Sequence, residues 1–470
     1  MDANNFKRTK IIATIGPASD SPDRIEALLK AGVNGVRLNL SHNTHQFHVS
    51  VIKHTRAASK KLDRAVALIA DLQGPRIRLG SLPNAGFEVK TGDKFSLKFG
   101  IDRADGNVLP IQHNIAAEVS KNQPLFLRDG QIKTTIVSVK KDTVIVRALN
   151  SGKLGSNHGI NLPETEFKSG ILTPKDHRDI DFVLKNDVDY IALSFVQSPQ
   201  DVIGLRQIIQ KAKSDTKIIA KIETRVATTH LDEIIKQADV VMVARGDLAI
   251  ETLPEEVPVL QHKIITHCRL AKTPVIIATQ MLESMMNSLQ PSRAEVNDIA
   301  SAVTSGADAV MLSGETAIGK FPIQTVVQMK KVILATESFI RDENKTFTPP
   351  SMERKDLGIS LAAVTLAAQL EAKVILAETL TGNTARSIAS LRPYQAIMMA
   401  SPSAKVCNQL AIVWGSKPFL VKKGTQAAKY VLKILKKRGS LKAGDVIVTA
   451  FGKNRNVSGG TDTVRLVQVP

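Results

Sequence analysis

Eight short β-branched runs, each followed by a helical stretch, constrain the fold more than any other feature of this sequence. Continuous apolar runs of this kind are typical of parallel strands buried on both faces, with helices as the connections. Eight such units predict a (β/α)8 TIM barrel rather than an open sheet. The runs are KIIATIG, GVRLNLS, AVALIADL, VDYIALSFV, KIIAKIE, DVVMVARGD, PVIIATQ and ADAVMLSGE.

The chain between the third and fourth runs has a different texture. It is too long for one crossover helix, and segments such as GFEVKTGDKFSLKFG alternate strand-like residues with Gly turns. We therefore predict an all-β domain over residues 75–170, inserted into a barrel formed by residues 1–74 and 171–345. The stretch ENKTFTPPSMERKD then reads as a linker, and residues 346–470 alternate again as a C-terminal open α/β domain.

Composition excludes several classes of protein. The 470 residues are 43% hydrophobic and 23% charged, a balance typical of globular domains. No run reaches the ~18 apolar residues of a membrane helix, and the start MDANNFKRTKIIATIG has no apolar core of a secretory signal. With Cys268 and Cys407 as the only cysteines, we expect no disulfide framework and a cytoplasmic location.

The net charge of +19 arises from 63 basic and 44 acidic residues. The basic residues are scattered rather than arranged in a stripe, and aromatic residues, at 4%, leave little surface for stacking bases. We expect neither a nucleic-acid partner nor a membrane partner. The overall excess of positive charge has no explanation in the sequence.

Polar side chains stand at the carboxyl end of every predicted barrel strand. These ends converge on one mouth in a TIM barrel, so a functional site is expected there. The end residues are Thr14, Arg37, Asn39, Asp71, Ser194, Lys221, Glu223, Asp247, Thr279, Gln280, Ser313 and Glu315.

Two of these carboxylates predict a metal site. Lys221 and Glu223 are two residues apart and point the same way, and Asp247 ends the next strand, ~4.8 Å away. Two carboxylates without a His or Cys partner suit Mg2+ or Mn2+, with substrate oxygens completing the shell. The alternative is a structural ion pair between Lys221 and Glu223.

Three motifs resemble other kinds of site, but the evidence for each is weaker than for the metal site. The RGD at 245–247 would need an exposed loop on a secreted protein to act in adhesion. GETAIGKF nearly matches a phosphate-binding loop, but Phe321 stands where a hydroxyl should be. His42, His45 and His48 are spaced by three residues, which hints at zinc but is better explained by the surface of a helix.

Across the whole chain, the motifs resemble those of the pyruvate kinase family in order and spacing. The specific ones are TKIIATIGPAS, GVNGVRLNLSHNTHQFH, GINLP, KIE, MVARGDLAIE, PVIIATQMLESM and MLSGETAIGKFP. The resemblance implies transfer of a phosphoryl group from phosphoenolpyruvate to ADP, giving ATP and pyruvate. It also implies that the all-β insert is a lid domain, which would close over the mouth and exclude water, and that the C-terminal domain binds effectors.

The resemblance implies a role for individual residues. Glu223 and Asp247 would hold Mg2+ (or Mn2+), while Lys221 and Arg37 would stabilise the phosphoryl group during transfer. Phosphoryl transfer needs positioning and positive charge more than covalent chemistry, which agrees with the residues at the mouth. By motif, the substrate carboxylate would be bound by the backbone around Gly246 and Asp247, together with Thr279. Proton transfer would involve Thr279 and Ser313, and the nucleotide would contact Asn39, Arg78 and Lys175.

The sequence departs from the family at its monovalent-cation site. K+-dependent members usually read Asp-Thr-Lys-Gly-Pro-Glu, whereas this chain reads DLQGPR, with Arg76 in place of the Glu. A guanidinium can supply the charge that K+ would bring, so we predict activity without K+. The site maps to Asn39, Ser41, Asp71 and the carbonyl of Leu72.

The stretch TLTGNTAR lies between a strand and a helix of the C-terminal domain and resembles the family's effector loop. Small hydroxyl residues and Gly at a helix start suit a phosphate, although they also form an ordinary helix cap. The resemblance implies a phosphorylated metabolite as effector and a homotetramer. The effector residues would be Thr379, Thr381, Gly382, Asn383 and Thr384.

Two other functions compete with this interpretation. A Mg2+-dependent carbon–carbon lyase acting on pyruvate or phosphoenolpyruvate would share the Glu–Asp metal pair, but it would not need Arg78, Lys175 or a lid. A non-catalytic metabolite sensor would not need Lys221, Glu223 and Asp247 together. A pyruvate assay with and without ADP and Mg2+ separates the three.

Overall fold

The structure is a computed structural model that describes residues 6–167, 170–342, 357–422, 426–452 and 461–470. Within these ranges the chain forms a closed parallel barrel, a mainly antiparallel sheet inserted into it, and a separate five-stranded sheet. The fold class predicted from the sequence is confirmed. The predicted linker, residues 343–356, lies outside the described residues, as do Lys168 and Ser169.

The first barrel units alternate strands with well-capped helices. The side chain of Ser21 accepts a hydrogen bond from the amide of Arg24, Pro22 occupies the first turn, and Gly32 ends the helix at φ 134°. The elements are β1 (Lys10–Thr14), α1 (Pro22–Ala31), β2 (Gly35–Asn39), α2 (His45–Lys61) and β3 (Ala67–Asp71).

The insert, here called the lid, has its own sheet and its own apolar core. Its seven-stranded sheet has the order β4-β12-β8-β9-β10-β6-β7, and β11 pairs with β5 beside it. The boundaries of the lid at residues 75 and 170 remain a prediction from the sequence. The strands are β4 (Ile77–Arg78), β5 (Phe87–Val89), β6 (Lys94–Phe99), β7 (Val108–Ile111), β8 (Pro124–Leu127), β9 (Ile132–Val139), β10 (Thr143–Ala148), β11 (Gly152–Leu154) and β12 (Gly159–Asn161).

The barrel then resumes with five more strands. A 3-10 turn at Pro254–Glu256 precedes the helix that begins at Val257, because Pro254 and Pro258 lack the amide hydrogens that a helix interior needs. A second 3-10 turn spans Glu283–Met286. The elements are α3 (Pro174–Lys185), β13 (Tyr190–Leu193), α4 (Pro199–Lys211), β14 (Lys217–Ile222), α5 (Arg225–Thr229), α6 (Leu231–Gln237), β15 (Val240–Ala244), α7 (Arg245–Glu251), α8 (Val257–Ala271), β16 (Val275–Ala278), α9 (Arg293–Ser305), β17 (Ala309–Leu312), α10 (Gly314–Ala317) and α11 (Pro322–Asp342).

The eight strands close in the order β1-β17-β16-β15-β14-β13-β3-β2. Their inward-facing side chains, such as Ile12, Ile69 and Met242, fill the interior, while the outward-facing ones pack under the helices. A filled interior leaves only the two ends of the barrel for polar chemistry.

The C-terminal part is the predicted open α/β sheet, in the order β20-β19-β18-β21-β22. All its strand pairs are parallel except β21 with β22. The elements are α12 (Gly358–Gln369), β18 (Val374–Glu378), α13 (Asn383–Ser390), β19 (Ala396–Ser401), α14 (Ala404–Leu410), β20 (Ser416–Leu420), α15 (Ala427–Lys437), β21 (Val446–Phe451) and β22 (Thr463–Gln468).

This C-terminal sheet packs against the base of the barrel, the end opposite the mouth. Ile412 enters the barrel interior, where a side chain on Gly35 would begin 2.9 Å from its methyl group, so glycine is required there. Tyr190 donates from its hydroxyl to the carbonyl of Gln409 at 2.7 Å, and the Lys10 ammonium donates to the carbonyl of Ser416 at 2.8 Å. None of the helices in the described ranges is long and apolar enough to cross a membrane.

Candidate active site

The end of β14 brings Lys221 and Glu223 together at the mouth. Lys221 Nζ lies 3.2 Å from Glu223 Oε2 and 3.3 Å from Asp71 Oδ1, and it donates to Ser194 Oγ at 2.6 Å. The pair considered as a structural alternative therefore exists, but it belongs to a larger cluster of charges from three neighbouring strands.

Opposite charges decide the ionisation of this cluster. Burial raises the pKa of Asp71, but Lys221 and Arg37 outweigh it, so the pKa lies below its ordinary value. Burial lowers the pKa of Lys221, but Asp71 and Glu223 outweigh it, so the pKa lies above its ordinary value. Arg37 Nε donates to Asp71 Oδ2 at 2.7 Å, and Arg37 Nη1 donates to Thr14 Oγ1 at 3.1 Å. The mouth thus holds two fixed cations.

Glu223 is fully buried, yet one of its oxygens receives no hydrogen bond from the described residues. Its Oε1 accepts from the amide of Phe195 at 2.8 Å, whereas Oε2, although close to Lys221 Nζ, is not aligned for a hydrogen bond. Burial, against the opposing charge of Lys221, raises the pKa of Glu223 to about 7. A buried oxygen of this kind is suited to a cation.

Asp247 stands in the first turn of α7, directly after β15. Its side chain is 26% exposed, and the Arg76 guanidinium lies 4.0 Å from its Oδ2. No group of three His, Cys, Asp or Glu side chains that could hold a metal occurs in the described part of the chain. Besides burial, the charge of Asp247 raises the pKa of Glu223, so the two carboxylates are close enough to interact, and two oxygen ligands of this kind suit a hard cation whose other positions are filled by ligand oxygens.

The arginine of the RGD motif, Arg245, has its hydrogen-bond partners away from Glu223 and Asp247. Arg245 Nη1 donates to both carboxylate oxygens of Asp298 at 2.6 Å, while Nε and Nη2 donate to the carbonyls of Ala278 and Thr279. Arg245 and Asp298 thus hold the end of β16, a role that the sequence analysis missed. The signal available was the charge itself, since an arginine at the end of a buried strand needs acceptors.

The end of β16 is strained. Thr279 has φ 68° and Gln280 has φ 54°, a conformation that is costly for a β-branched residue such as Thr. Thr279 Oγ1 accepts from the amide of Gly246 at 2.9 Å, which joins this turn to the start of α7. The predicted substrate residues Gly246, Asp247 and Thr279 are therefore brought together.

Ser313 ends β17 and begins the short helix α10. Its amide donates to Glu315 Oε2 at 2.7 Å, and Glu315 Oε1 accepts from the amide of Leu282. The amides near this helix start are thus bonded to a carboxylate of the chain itself, which weighs against phosphate binding by GETAIGKF. Next to it, Thr316 Oγ1 donates to the carbonyl of Thr14, so Ser313 lies beside the strand end that contacts Arg37.

A cavity of about 210 Å3 lies between the lid and the barrel. Of the three predicted nucleotide residues, Arg78 lines it, together with Arg76, Asp129, Asp247 and Glu251.

The other two nucleotide residues are held elsewhere. Lys175 Nζ donates to the carbonyl of Leu40 at 2.6 Å and to Asp179 Oδ2 at 2.5 Å, and Asn39 Oδ1 accepts from the amide of Ser41. Both lie near the end of β2, outside the lining of this cavity.

Of the predicted monovalent-cation site, Asp71, the carbonyl of Leu72 and Asn39 Oδ1 have partners within the chain. Asp71 is bonded to Arg37, the carbonyl of Leu72 accepts from Ser194 Oγ at 2.8 Å, and Asn39 Oδ1 accepts from Ser41.

We predicted that His42, His45 and His48 lie on the surface of a helix, and for His48 this prediction is wrong. His48 is buried, with Nε2 3.0 Å from the carbonyl of His42, while His45 stacks on Phe182 and pairs with Asp179.

The predicted effector loop forms the start of α13. Thr379 Oγ1 accepts from the amide of Gly382, and Thr384 Oγ1 lies 2.5 Å from Thr461 Oγ1. Asn383 and Thr384 also line a cavity of about 470 Å3 that is shared with the base of the barrel. Thr379, Gly382 and Thr381 are absent from the lining of this cavity.

Family comparisons agree with this geometry. A profile described as "Pyruvate kinase, barrel domain" matches residues 6–326, and one described as "Pyruvate kinase, alpha/beta domain" matches residues 358–467.

Individual proteins match over almost the whole chain. Pyruvate kinase 2 of Synechocystis sp. is 38% identical, covering 98% of this chain and 79% of its own length. A pyruvate kinase of Thermococcus litoralis is 36% identical, covering 98% and 99%. The crystal structure of a pyruvate kinase from Cryptosporidium parvum superposes with a TM-score of 0.91 at 32% identity, covering 100% of this chain and 97% of that one.

Proposed function

The chain belongs to the pyruvate kinase family and is a phosphotransferase that moves a phosphoryl group from phosphoenolpyruvate to ADP, giving pyruvate and ATP; from that premise, we propose a role for each side chain at the mouth. The observation that carries the proposal is the arrangement of Lys221 between Asp71 and Glu223, with Glu223 Oε2 buried and without a hydrogen bond.

Glu223 and Asp247 would hold the divalent ion that the family uses, with Mg2+ or Mn2+ as the ions whose preferred ligands match two carboxylates and substrate oxygens. When bound, this ion neutralises charge on the phosphoryl oxygens. The support is the buried, unbonded Oε2 of Glu223 and the neighbouring carboxylate of Asp247.

Lys221 and Arg37 would stabilise the phosphoryl group during transfer. Asp71 holds the Arg37 guanidinium in place and keeps Lys221 protonated, so both cations are oriented before substrate arrives. Oriented charges need no rearrangement as the transition state forms, which is the main electrostatic contribution to such a reaction.

The backbone around Gly246 and Asp247, together with Thr279, would bind the substrate carboxylate, and Thr279 and Ser313 would stand on the route by which a proton reaches the enolpyruvate carbon. The strained backbone at Thr279 supports this assignment, because strain of this kind persists where surrounding contacts hold a functional geometry. Asn39, Arg78 and Lys175 would contact ADP, and the lid would exclude water during the transfer.

A coupled assay for pyruvate tests the activity. We expect pyruvate only when phosphoenolpyruvate, ADP and Mg2+ are all present. Pyruvate formation from phosphoenolpyruvate without ADP would mean that water accepts the phosphoryl group and would contradict a kinase, and binding of metabolites without turnover would indicate a sensor.

We also propose that activity does not require K+. Arg76 points into the mouth, 4.0 Å from Asp247, where its guanidinium supplies a fixed positive charge. The internal hydrogen bonds of Asp71, Leu72 and Asn39 further reduce the need for a monovalent cation. Comparable turnover in K+ and in tetramethylammonium is expected, and a steep K+ requirement would overturn the proposal.

The loop Thr379–Thr384 is proposed to bind a phosphorylated metabolite that regulates the enzyme, through Thr379, Thr381, Gly382, Asn383 and Thr384. Support comes from the cavity of about 470 Å3 between this loop and the barrel, which Arg386 also lines. If sugar phosphates activate the wild type, Thr384→Glu should abolish the activation by like-charge repulsion while basal turnover remains. A wild type that responds to no phosphorylated metabolite would contradict the proposal.

Finally, we propose a homotetramer that works in the cytoplasm. Large exposed apolar side chains such as Val259, at 69% exposure, support an assembly because they would be covered within it. Sedimentation equilibrium should give four times the chain mass, and a monomer at micromolar concentration would refute this.

A further inference from the structure

The helix α7 touches the lid at three points along its length. Arg76 lies 4.0 Å from Asp247 at the first turn, and Asn161 Nδ2 donates to Glu251 Oε1 at 3.1 Å at the last residue. Between them, the lid backbone at Gly130 comes so close to Ile250 that a β-carbon there would lie 3.2 Å from its methyl group. The lid therefore rests on the same short helix that presents Asp247 to the mouth.

The burial of the Glu251 carboxyl group is not explained by a contribution to stability. It is 5% exposed, and burial raises its pKa to about 7. A buried acid is costly, and an apolar side chain of similar volume would fill the space at lower free energy. Its hydrogen bond from Asn161 crosses between lid and barrel and joins residues 90 positions apart.

The position of Glu251 relative to Asp247 is also specific. Residues four apart lie on one face of a helix, so both carboxylates face the cavity of about 210 Å3 that the lid covers. The backbone of α7 is rigid over this single turn, and its end is held by Arg225 Nε, which donates to the carbonyl of Glu251 at 3.3 Å. A shift of the lid strand β12 at Asn161 would therefore act on the helix that carries Asp247.

We propose that Glu251 is a positioning residue for phosphoryl transfer: through its hydrogen bond from Asn161 it couples the position of the lid to the helix that carries Asp247. This inference rests on the proposed role of Asp247 as a metal ligand. Glu251 touches neither the reacting atoms nor the metal. Its contribution is to place the Asp247 carboxylate correctly when the lid is in its catalytic position.

Four variants test the coupling: Glu251→Ala, Asn161→Ala, the double variant, and Glu251→Gln, which keeps a hydrogen-bond acceptor for Asn161. We expect kcat to fall about three- to tenfold in each single Ala variant, as for the loss of one hydrogen bond, with a smaller change in KM for phosphoenolpyruvate. The double variant should be no worse than either single one, and Glu251→Gln should stay close to wild type.

Two readouts do not depend on turnover. In the metal-free enzyme, hydrogen exchange of the amides 245–251 should accelerate in Asn161→Ala, although the substituted residue lies in the lid. The dissociation constant for Mn2+, measured from the paramagnetic resonance signal of the free ion, should rise about threefold in the same variant. Asn161→Ala removes no charged side chain, so the variant tests the hydrogen bond rather than the deletion of a charge.

Gln197→Ala is the matched control. Gln197 accepts from the amide of Phe167 and donates to the carbonyl of Thr165, so its loss loosens the neighbouring segment without touching α7. Exchange of amides 245–251 should be unchanged in this variant.

The inference is overturned if the losses of the two Ala variants multiply, or if exchange in α7 is unaffected by Asn161→Ala. A wild type without pyruvate formation would refute the proposed function instead, and the exchange experiment would still decide whether the lid and α7 are coupled.

Discussion

Asp308 at the base of the barrel and Glu223 at its mouth are both buried carboxylates, but they have different partners. At the base, Asp308 accepts from Arg392 Nη2 at 2.8 Å and from the amides of Val275 at 3.1 Å and Trp414 at 3.0 Å. At the mouth, the described residues leave Glu223 Oε2 without a hydrogen bond, and Asp247 has the Arg76 guanidinium 4.0 Å away.

The difference indicates that Asp308 has a structural role, whereas Glu223 and Asp247 have a functional one. Asp308 and Arg392 join the barrel to the C-terminal domain, and a joint of this kind is stable because each polar atom is bonded. The mouth instead keeps acceptor atoms open and cations oriented, which lowers stability in the absence of ligand but prepares the site for a metal and a phosphate. Four experiments can break or sharpen this comparison.

Asp247→Asn should give the largest effect. The neutral amide is a poor ligand for a hard cation, so kcat/KM for phosphoenolpyruvate should fall by about a thousandfold or more in a coupled assay. Because the side chain is 26% exposed, the thermal unfolding midpoint should hardly change. Undiminished ATP synthesis by this variant would remove Asp247 from the metal site.

Asp308→Ala should show the opposite pattern. It leaves Arg392, whose side chain is 2% exposed, without its carboxylate partner, so the free energy of unfolding should fall by about 3–5 kcal/mol in urea titrations. The kcat of the enzyme that remains folded should be retained. A large loss of kcat with unchanged stability would mean that the base takes part in catalysis.

Glu251→Gln should change how stability depends on pH. The pKa of Glu251 is about 7 when folded, against about 4.3 when unfolded, so between these values the folded state binds more protons. The wild type should therefore lose stability, by up to about 3 kcal/mol, as pH rises from about 4.5 to 7, and then level off. Urea unfolding at pH 5 and pH 8 measures this loss, and Glu251→Gln should lack that part of it; identical pH dependence in the two proteins would contradict the assignment.

Arg76→Glu should have the smallest effect. It removes the fixed cation near Asp247 and restores the acid found in K+-dependent members, so K+ should now activate the enzyme severalfold over tetramethylammonium. Arg76→Gln serves as a control for the loss of charge alone. If Arg76→Glu responds to neither cation, the guanidinium does not replace K+.

The barrel and the polar mouth could be predicted because their signals are local. A run such as VVMVA is apolar whatever surrounds it, and the topology of a TIM barrel then brings the carboxyl ends of the strands together. Lys221, Glu223 and Asp247 were identified in this way. Their distances to Asp71, Ser194 and Arg76 were not available, because these depend on how neighbouring strands are staggered.

Residues whose partners are distant in sequence were missed or only partly understood. Arg245 bonds to Asp298, 53 positions away, and Glu251 to Asn161, 90 positions away across the lid boundary. His48 was expected on a helix surface but is buried. The prediction failed because neither the burial of His48 nor its contact with His42 can be read from helical spacing.

The sequence by itself determined the order of strands and helices, the insertion of an all-β lid, and the identity of the charged residues at the mouth, since apolar periodicity and residue type are properties of the chain. Only the tertiary structure decided which of those charges are fully bonded and which stay open. Hydrogen bonding and burial depend on atoms that folding brings together from remote parts of the chain.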